Sequence, residues 1–252
     1  MSTTEDHRLA TRLATEAGVL LVALRSELEA AGADVAEMRA EGDRRSHDLL
    51  MDALAEARPD DAVLSEEGSD DQGRLTAERV WIIDPLDGTR EFGEPPRVDW
   101  AVHVALVEGG VVTAAAVSLP ARDLTLSTAD VAQARAGDGR RPRVIASRTR
   151  PGPAAEAIAE ALDGELVFLG SAGAKTMAIV LDEADIYAHT GGQYEWDSAA
   201  PVGVAAAAGL HASRIDGSPL VYNRPDPLLP DLLVCRGDYA QAALEAVSAL
   251  DS

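Results

Sequence analysis

The run Trp81-Ile82-Ile83-Asp84-Pro85-Leu86-Asp87-Gly88-Thr89 constrains this chain more than any other stretch. Its apolar, β-branched start reads as a buried strand, and Pro85 and Gly88 mark a turn at the strand's end. Two carboxylates, Asp84 and Asp87, are thereby delivered into one turn, with the Leu86 carbonyl as a further oxygen between them. Hard cations such as Mg²⁺ take oxygen ligands of this kind. Gly88 lets the backbone approach a ligand closely, and a helix starting near Thr89 would turn free N–H groups toward an anion. The same residues also suit Asx turns and a helix cap, so the acids elsewhere in the chain weigh in the choice.

Those acids are suggestively placed. Glu66-Glu67 closes the apolar run Ala62–Ser65, and Trp196-Asp197 opens the alanine-rich stretch Ser198-Ala199-Ala200. Acids at the ends of three separate elements can converge on an oxygen-ligated Mg²⁺ site. A net charge of −21 over 252 residues opposes a nucleic-acid polymer or an anionic membrane as partner. It does not oppose a small phosphorylated substrate, because bound divalent cations reverse the local field. With 46% apolar residues the chain can bury a sizeable core as one domain or two lobes. The lone cysteine, Cys235, cannot form an internal disulfide, and residues 1–6 show no secretory signal, so a cytoplasmic setting is expected. No apolar run is long enough to span a bilayer.

Periodicity predicts a helix over residues 7–30 ended by Gly32, a loop over 37–43, and a second helix over 44–57. Asp43 then stands where an N-cap would. Residues 99–108 and 111–119 form a hairpin around Gly109-Gly110, with 124–128 as a further strand. His103 reads as a core or face residue of that hairpin. Residues 129–142 lack periodicity and suggest a boundary between an α+β lobe, 1–138, and an α/β lobe, 139–252, within one compact unit. Beyond it strands over 143–146, 165–168, 186–189 and 232–235 alternate with helices over 153–162, 174–181, 197–208 and 238–250. Every basic residue but Lys175 is arginine. Lys175 follows Gly170-Ser171-Ala172-Gly173-Ala174, a turn leading into a helix, where a second anion could sit as readily as a surface lysine.

Together Glu66-Glu67, Asp84-Pro-Leu-Asp-Gly-Thr89 and Trp196-Asp197-Ser-Ala-Ala200 resemble the three motifs of the inositol monophosphatase and fructose bisphosphatase superfamily of lithium-sensitive, Mg²⁺-dependent phosphatases, in order and over nearly the whole chain. The resemblance implies an αβαβα sandwich, layered α+β and α/β, and two or three Mg²⁺ ions. It implies that Glu66, Asp84 and the Leu86 carbonyl hold one ion, that Asp84, Asp87 and Asp197 hold a second, and that Glu67 lies in the outer shell. Asp43 and Thr89 would activate the attacking water, and Gly88 and Thr89 would receive the phosphate. The family's Ser-Pro-Val-Thr-like stretch before the aspartate is here Glu37-Met38-Arg39-Ala40-Glu41-Gly42, so a mobile loop is expected over 36–42.

At the position where inositol phosphatases carry a glutamate for the sugar hydroxyls, this chain has Thr190. The segment 191–200 resembles instead the CysQ branch in its actinobacterial form, whose members remove the 3′-phosphate of 3′-phosphoadenosine 5′-phosphate to leave AMP in sulfate assimilation. That resemblance implies a bisphosphate nucleotidase, with the sulfated nucleotide as a further substrate. Ser171, Gly173 and Lys175 would face a second phosphate, and Tyr194 the adenine. An inositol or fructose phosphatase is the alternative, and an inactive metal- or phosphate-binding protein the rival of another class. The resemblance leaves open monomer or homodimer, and whether Arg39, Arg44 and Arg45 touch substrate or solvent.

Overall fold

The structure is a computed structural model and describes residues 2–135, 137, 139–149 and 151–251. Two long helices come first, α1 (Thr4–Ala31) and α2 (Val35–Ala57). Then follow β1 (Ala62–Ser65), β2 (Arg79–Asp87), the single-turn α3 (Thr89–Phe92), β3 (Ala101–Glu108), β4 (Val111–Leu119) and β5 (Leu124–Ser127). The second half holds β6 (Arg143–Ser147), α4 (Pro153–Ala161), β7 (Glu165–Leu169), α5 (Ala172–Val180), β8 (Ile186–His189), β9 (Gln193–Tyr194) and α6 (Glu195–Ala207). It ends with β10 (His211–Ser213), β11 (Leu228–Leu229), β12 (Leu232–Cys235) and α7 (Ala240–Ser248).

Strand side chains alternate between faces, and β2 shows what each face meets. Trp81 and Ile83 join Leu13, Leu21, Leu50 and Leu54 of α1 and α2 in one core. Val80 and Ile82 join Met177 and Ile179 of α5 and Val204 of α6 in another, which also takes in Tyr187 and Val234 of the second sheet. A third core packs Ala155 and Ile158 of α4 and Ala243 and Val247 of α7 on the far face of that sheet. The layers therefore run helix, sheet, helix, sheet, helix: the αβαβα sandwich. The first sheet has strand order β1-β2-β3-β4-β5, with β1 parallel to β2 and the rest antiparallel. The second has order β10-β12-β8-β6-β7, its β6 parallel to both β7 and β8 through the helical crossovers α4 and α5. No described helix is long and apolar enough to cross a membrane.

Two expectations need correction. Residues 36–42 are not a loop: α2 begins at Val35, capped by Asp34, whose side chain accepts from the Glu37 N–H at 2.9 Å. Asp43 is thus an interior helical residue and no cap. Gly42, a poor helix former, is explained by contact: a Cβ there would lie 2.8 Å from both Leu86 Cδ2 and Phe92 Cε1. Secondly, Pro85 does not end β2 in a turn. Pairing with β3 continues through a register shift, from Asp84 opposite His103 to Asp87 opposite Ala101. The extra residue makes a β-bulge. In an unbroken strand two residues three apart point to opposite faces, and the bulge brings both carboxylates to one side. The expected lobe boundary at Asp138 lies, with Ala136, outside the described residues; before it, Gln133 and Ala134 hydrogen-bond the carbonyls of Ala207 and Ala208 at the end of α6, each at 2.8 Å.

Because the α2 backbone rests against the bulge at Gly42, Gly42→Val should overpack this contact and lower stability by about 1–3 kcal/mol in chemical denaturation. An unchanged midpoint would mean that α2 and the bulge are not in close contact.

Candidate active site

The bulge, the start of α5 and the start of α6 meet between the two sheets. Asp84, Asp87 and Asp197 each place a carboxylate oxygen within 4.8 Å of the others. Asp87 and Asp197 border a cleft of about 380 Å³ that Glu66, Gly88, Arg90, Ser171, Lys175, His189 and Tyr194 also line. Glu66, just after the end of β1, is outside the tight trio; part of the residue is exposed at the cleft, while its carboxyl is turned in toward the other acids and desolvated there.

Hydrogen bonds orient each acid. The Leu86 N–H donates to Asp84 Oδ1 at 3.0 Å, and Ser46 of α2 donates to the Pro85 carbonyl at 2.6 Å, which clamps the bulge. Asp197 sits in the first turn of α6, where it accepts from the Tyr194 N–H at 2.6 Å. The start of that helix is tied to the 70s loop. Glu195 accepts from the N–H groups of Asn223 (2.6 Å) and Arg224 (2.9 Å), and Arg74, from a buried position, donates to Asn223 Oδ1 at 2.7 Å. Thr89 Oγ1 lies 2.9 Å from Asp43 Oδ1 and 3.0 Å from the Leu86 carbonyl, so the hydroxyl can donate to either.

Asp87 is held differently from the expectation for the α5 turn. Its carboxylate accepts from Ser171 Oγ (2.5 Å), the Gly173 N–H (2.6 Å) and the Ala172 N–H (3.2 Å). The anion at the start of α5 is therefore the chain's own Asp87, and Ser171 and Gly173 are spent on it rather than open to a second phosphate. A helix N-terminus favours negative charge whatever its source. Lys175 is neither a surface lysine nor a free cation: only 4% of it is exposed, and Nζ donates to the Gly170 carbonyl at 2.6 Å beneath the cleft.

His103 is the principal residue that sequence reasoning left out. It is buried in β3 as expected, but Nδ1 donates to the Trp196 carbonyl at 3.0 Å, and Nε2 lies 3.2 Å from Asp87 Oδ2. Gly173 makes room for it, since a Cβ there would fall 2.1 Å from Nε2. Nothing in a strand sequence distinguishes such a histidine from one that merely fills the core. Arg90, Thr149, His189 and Gln193 also reach the cleft without having been singled out. Arg44 and Arg45 pair with Glu41, and Arg44 also with Asp48, on the surface of α2. Arg39 donates to the Arg90 carbonyl at 3.3 Å.

Crowding the acids shifts their protonation. Burial, then repulsion from Glu66 and Asp87, raises Asp84 well above the ordinary carboxylate range. Burial and the charge of Asp197 push Glu66 up to about 7, and burial with Asp87 pushes Asp197 to about 6. Asp43 rises to about 6, chiefly through burial, against the opposing Thr89 hydrogen bond. Burial would raise Asp87 too, but the His103 charge and the α5 donors prevail and hold it at about 2. Four acids hard to ionise together around all-oxygen ligands fit a divalent cation, which Mg²⁺ chemistry would satisfy.

A raised carboxyl pKa stabilises the folded state at low pH, and that stability is lost as pH rises from the ordinary value through the folded one. Metal-free protein should therefore lose melting temperature between about pH 4 and 7, and Mg²⁺ should restore most of it at the alkaline end. Asp84→Asn should flatten the metal-free slope. An equally steep slope in that variant would show that the cluster is not its source.

A model of the inositol monophosphatase family matches residues 4–158 and 142–250. The chain is 51% identical, over 96% of its length and 93% of the relative's, to the 3′-phosphoadenosine 5′-phosphate phosphatase of Mycobacterium leprae. It is 31% identical to the 3′(2′),5′-bisphosphate nucleotidase CysQ of Escherichia coli, over 74% of this chain and 80% of that one. Among solved structures, CysQ from Bacteroides thetaiotaomicron superposes with a TM-score of 0.79 at 25% identity, covering 92% of this chain and 97% of that one. Inositol monophosphatase-II from Staphylococcus aureus superposes equally well, with a TM-score of 0.79 at 19% identity over 96% of each chain, and so shares the fold. With its sequence matched along almost its full length, the chain belongs to the inositol monophosphatase family.

Proposed function

We propose that the protein is a Mg²⁺-dependent phosphomonoesterase that hydrolyses the 3′-phosphate of 3′-phosphoadenosine 5′-phosphate to AMP and phosphate. The observation that carries the hydrolase reading is the convergence of Asp84, Asp87 and Asp197 within 4.8 Å beside a cleft. The choice of nucleotide draws support from the 51% identity to the mycobacterial phosphatase. Asp84, Asp87 and Asp197 would hold the cation, with Glu66 and the Leu86 carbonyl joining from the edge and Glu67 in the outer shell. When bound, Mg²⁺ supplies the positive charge that phosphoryl transfer needs on its oxygens.

The chain's own groups do the rest. An attacking water gives its proton through the Thr89 hydroxyl to Asp43, whose carboxylate, 2.9 Å away, is poised near neutrality to take it. His103 and the start of α5 fix the rotamer of Asp87. Gly88, with φ of +87°, turns the backbone so that its N–H and that of Thr89 can meet a phosphoryl oxygen. The Tyr194 ring, 46% exposed at the rim and stacked on Trp196 at 4.7 Å, offers a flat wall to a purine. An inositol or fructose phosphatase is the second reading, because structures of inositol phosphatases share this fold. The absence of a carboxylate at Thr190 argues against it.

Comparison of kcat/KM for 3′-phosphoadenosine 5′-phosphate with inositol 1-phosphate and fructose 1,6-bisphosphate should favour the nucleotide, and a preference for either sugar phosphate would overturn the substrate choice. No Mg²⁺-dependent phosphate release from any of them would favour a silent binding protein. Asp84→Asn should lower turnover by more than about 100-fold, the upper end of what loss of an outer-shell partner costs. Millimolar Li⁺ should inhibit by competing for one cation position, and indifference to it would count against the site.

A further inference from the structure

We infer that Arg90 is the specificity-determining cation of the cleft, and that it receives the second phosphate of a substrate carrying two. The inference rests on the nucleotidase reading and narrows it. A bisphosphorylated nucleotide needs positive charge away from the metal acids, and the α5 turn does not provide it, because Asp87 already takes the donors of Ser171, Ala172 and Gly173. Among the described residues, lysine and arginine supply two cations to the cleft lining, Lys175 and Arg90. The Lys175 ammonium is buried and committed to the Gly170 carbonyl.

Arg90 is exposed, and its side chain has no hydrogen-bond or ion-pair partner among the described residues. Its nearest acids in sequence are accounted for. Glu91 accepts from Arg148 Nη2 at 2.7 Å; Glu94 accepts from the same atom at 3.0 Å and lies 3.6 Å from Arg39 Nη2. Those pairs leave the Arg90 charge uncompensated on a protein of net charge −21. Its backbone is meanwhile held, since Arg39 donates to the Arg90 carbonyl at 3.3 Å. The Thr149 hydroxyl, on the same cleft after the end of β6, can add a donor. A guanidinium so placed matches a phosphate by its planar fork of donors. The residue follows Thr89 directly, so one short turn would serve both ends of the nucleotide.

The test is steady-state kinetics of wild type, Arg90→Gln and Arg90→Lys on 3′-phosphoadenosine 5′-phosphate and on 3′-AMP, which lacks the 5′-phosphate. The ratio of the two kcat/KM values should fall about ten-fold or more in Arg90→Gln, through KM rather than kcat, and recover in part in Arg90→Lys. Inhibition by the product AMP should weaken in parallel, which checks binding apart from turnover. An unchanged ratio, or a loss shared equally by both nucleotides, overturns the role of Arg90 while leaving the nucleotidase reading intact. Wild type that hydrolyses neither nucleotide overturns both.

Discussion

Mutual repulsion among buried carboxylates is the constraint on which the rest of this structure turns. Bringing Asp84, Asp87 and Asp197 within 4.8 Å of one another is costly in a low-dielectric setting. The fold meets that cost locally at only one of them, Asp87, through the first turn of α5 and through His103. Asp84 receives a single backbone N–H, from Leu86, and Asp197 a single one, from Tyr194. The remaining charge is left for a cation to neutralise, which is why the cluster can bind one. Structures that keep such unfavourable groupings usually do so at functional sites.

The sandwich exists in the service of that grouping. Both faces of β2 are covered by helices, so the strand is rigid up to Asp84, and the bulge then turns Asp87 to the same side. Asp197 arrives from the layer between the sheets, on a helix whose start is fixed by Glu195, Asn223 and Arg74. Asp43 comes from the outermost helical layer, held against the bulge because Gly42 lets α2 approach. Elements from three layers thus meet at one end of one strand. Small displacements in any of them would spoil the geometry, and preorganisation of this kind is what charge-based catalysis of phosphoryl transfer requires.

Much of this was legible in the residues. The order of the motifs carries the resemblance that implies the sandwich, the alternation of strands and helices beyond residue 142 marks its α/β half, and the apolar run 81–83 reads as a buried strand from its composition. What escaped was context-dependent. Gly42 and the charged run around it look like a loop, because helix propensity counts against glycine and cannot register the contact with Phe92 that selects it. Pro85 and Gly88 look like a turn, whereas tertiary pairing with β3 carries the strand through Pro85 as a bulge. The α5 turn looks like an empty anion site, since its occupant is a residue more than eighty positions earlier in the chain. His103 carried no local signal, because what singles it out is the long-range approach of Asp87 and the Trp196 carbonyl.

The central claim is that the three aspartates share divalent cations, and anomalous scattering from a crystal soaked in Mn²⁺ tests it most directly. The account predicts strong peaks bounded by the side chains of Asp84, Asp87 and Asp197, weakened by competing Mg²⁺. Peaks only at surface carboxylates, with none among those three, would contradict it.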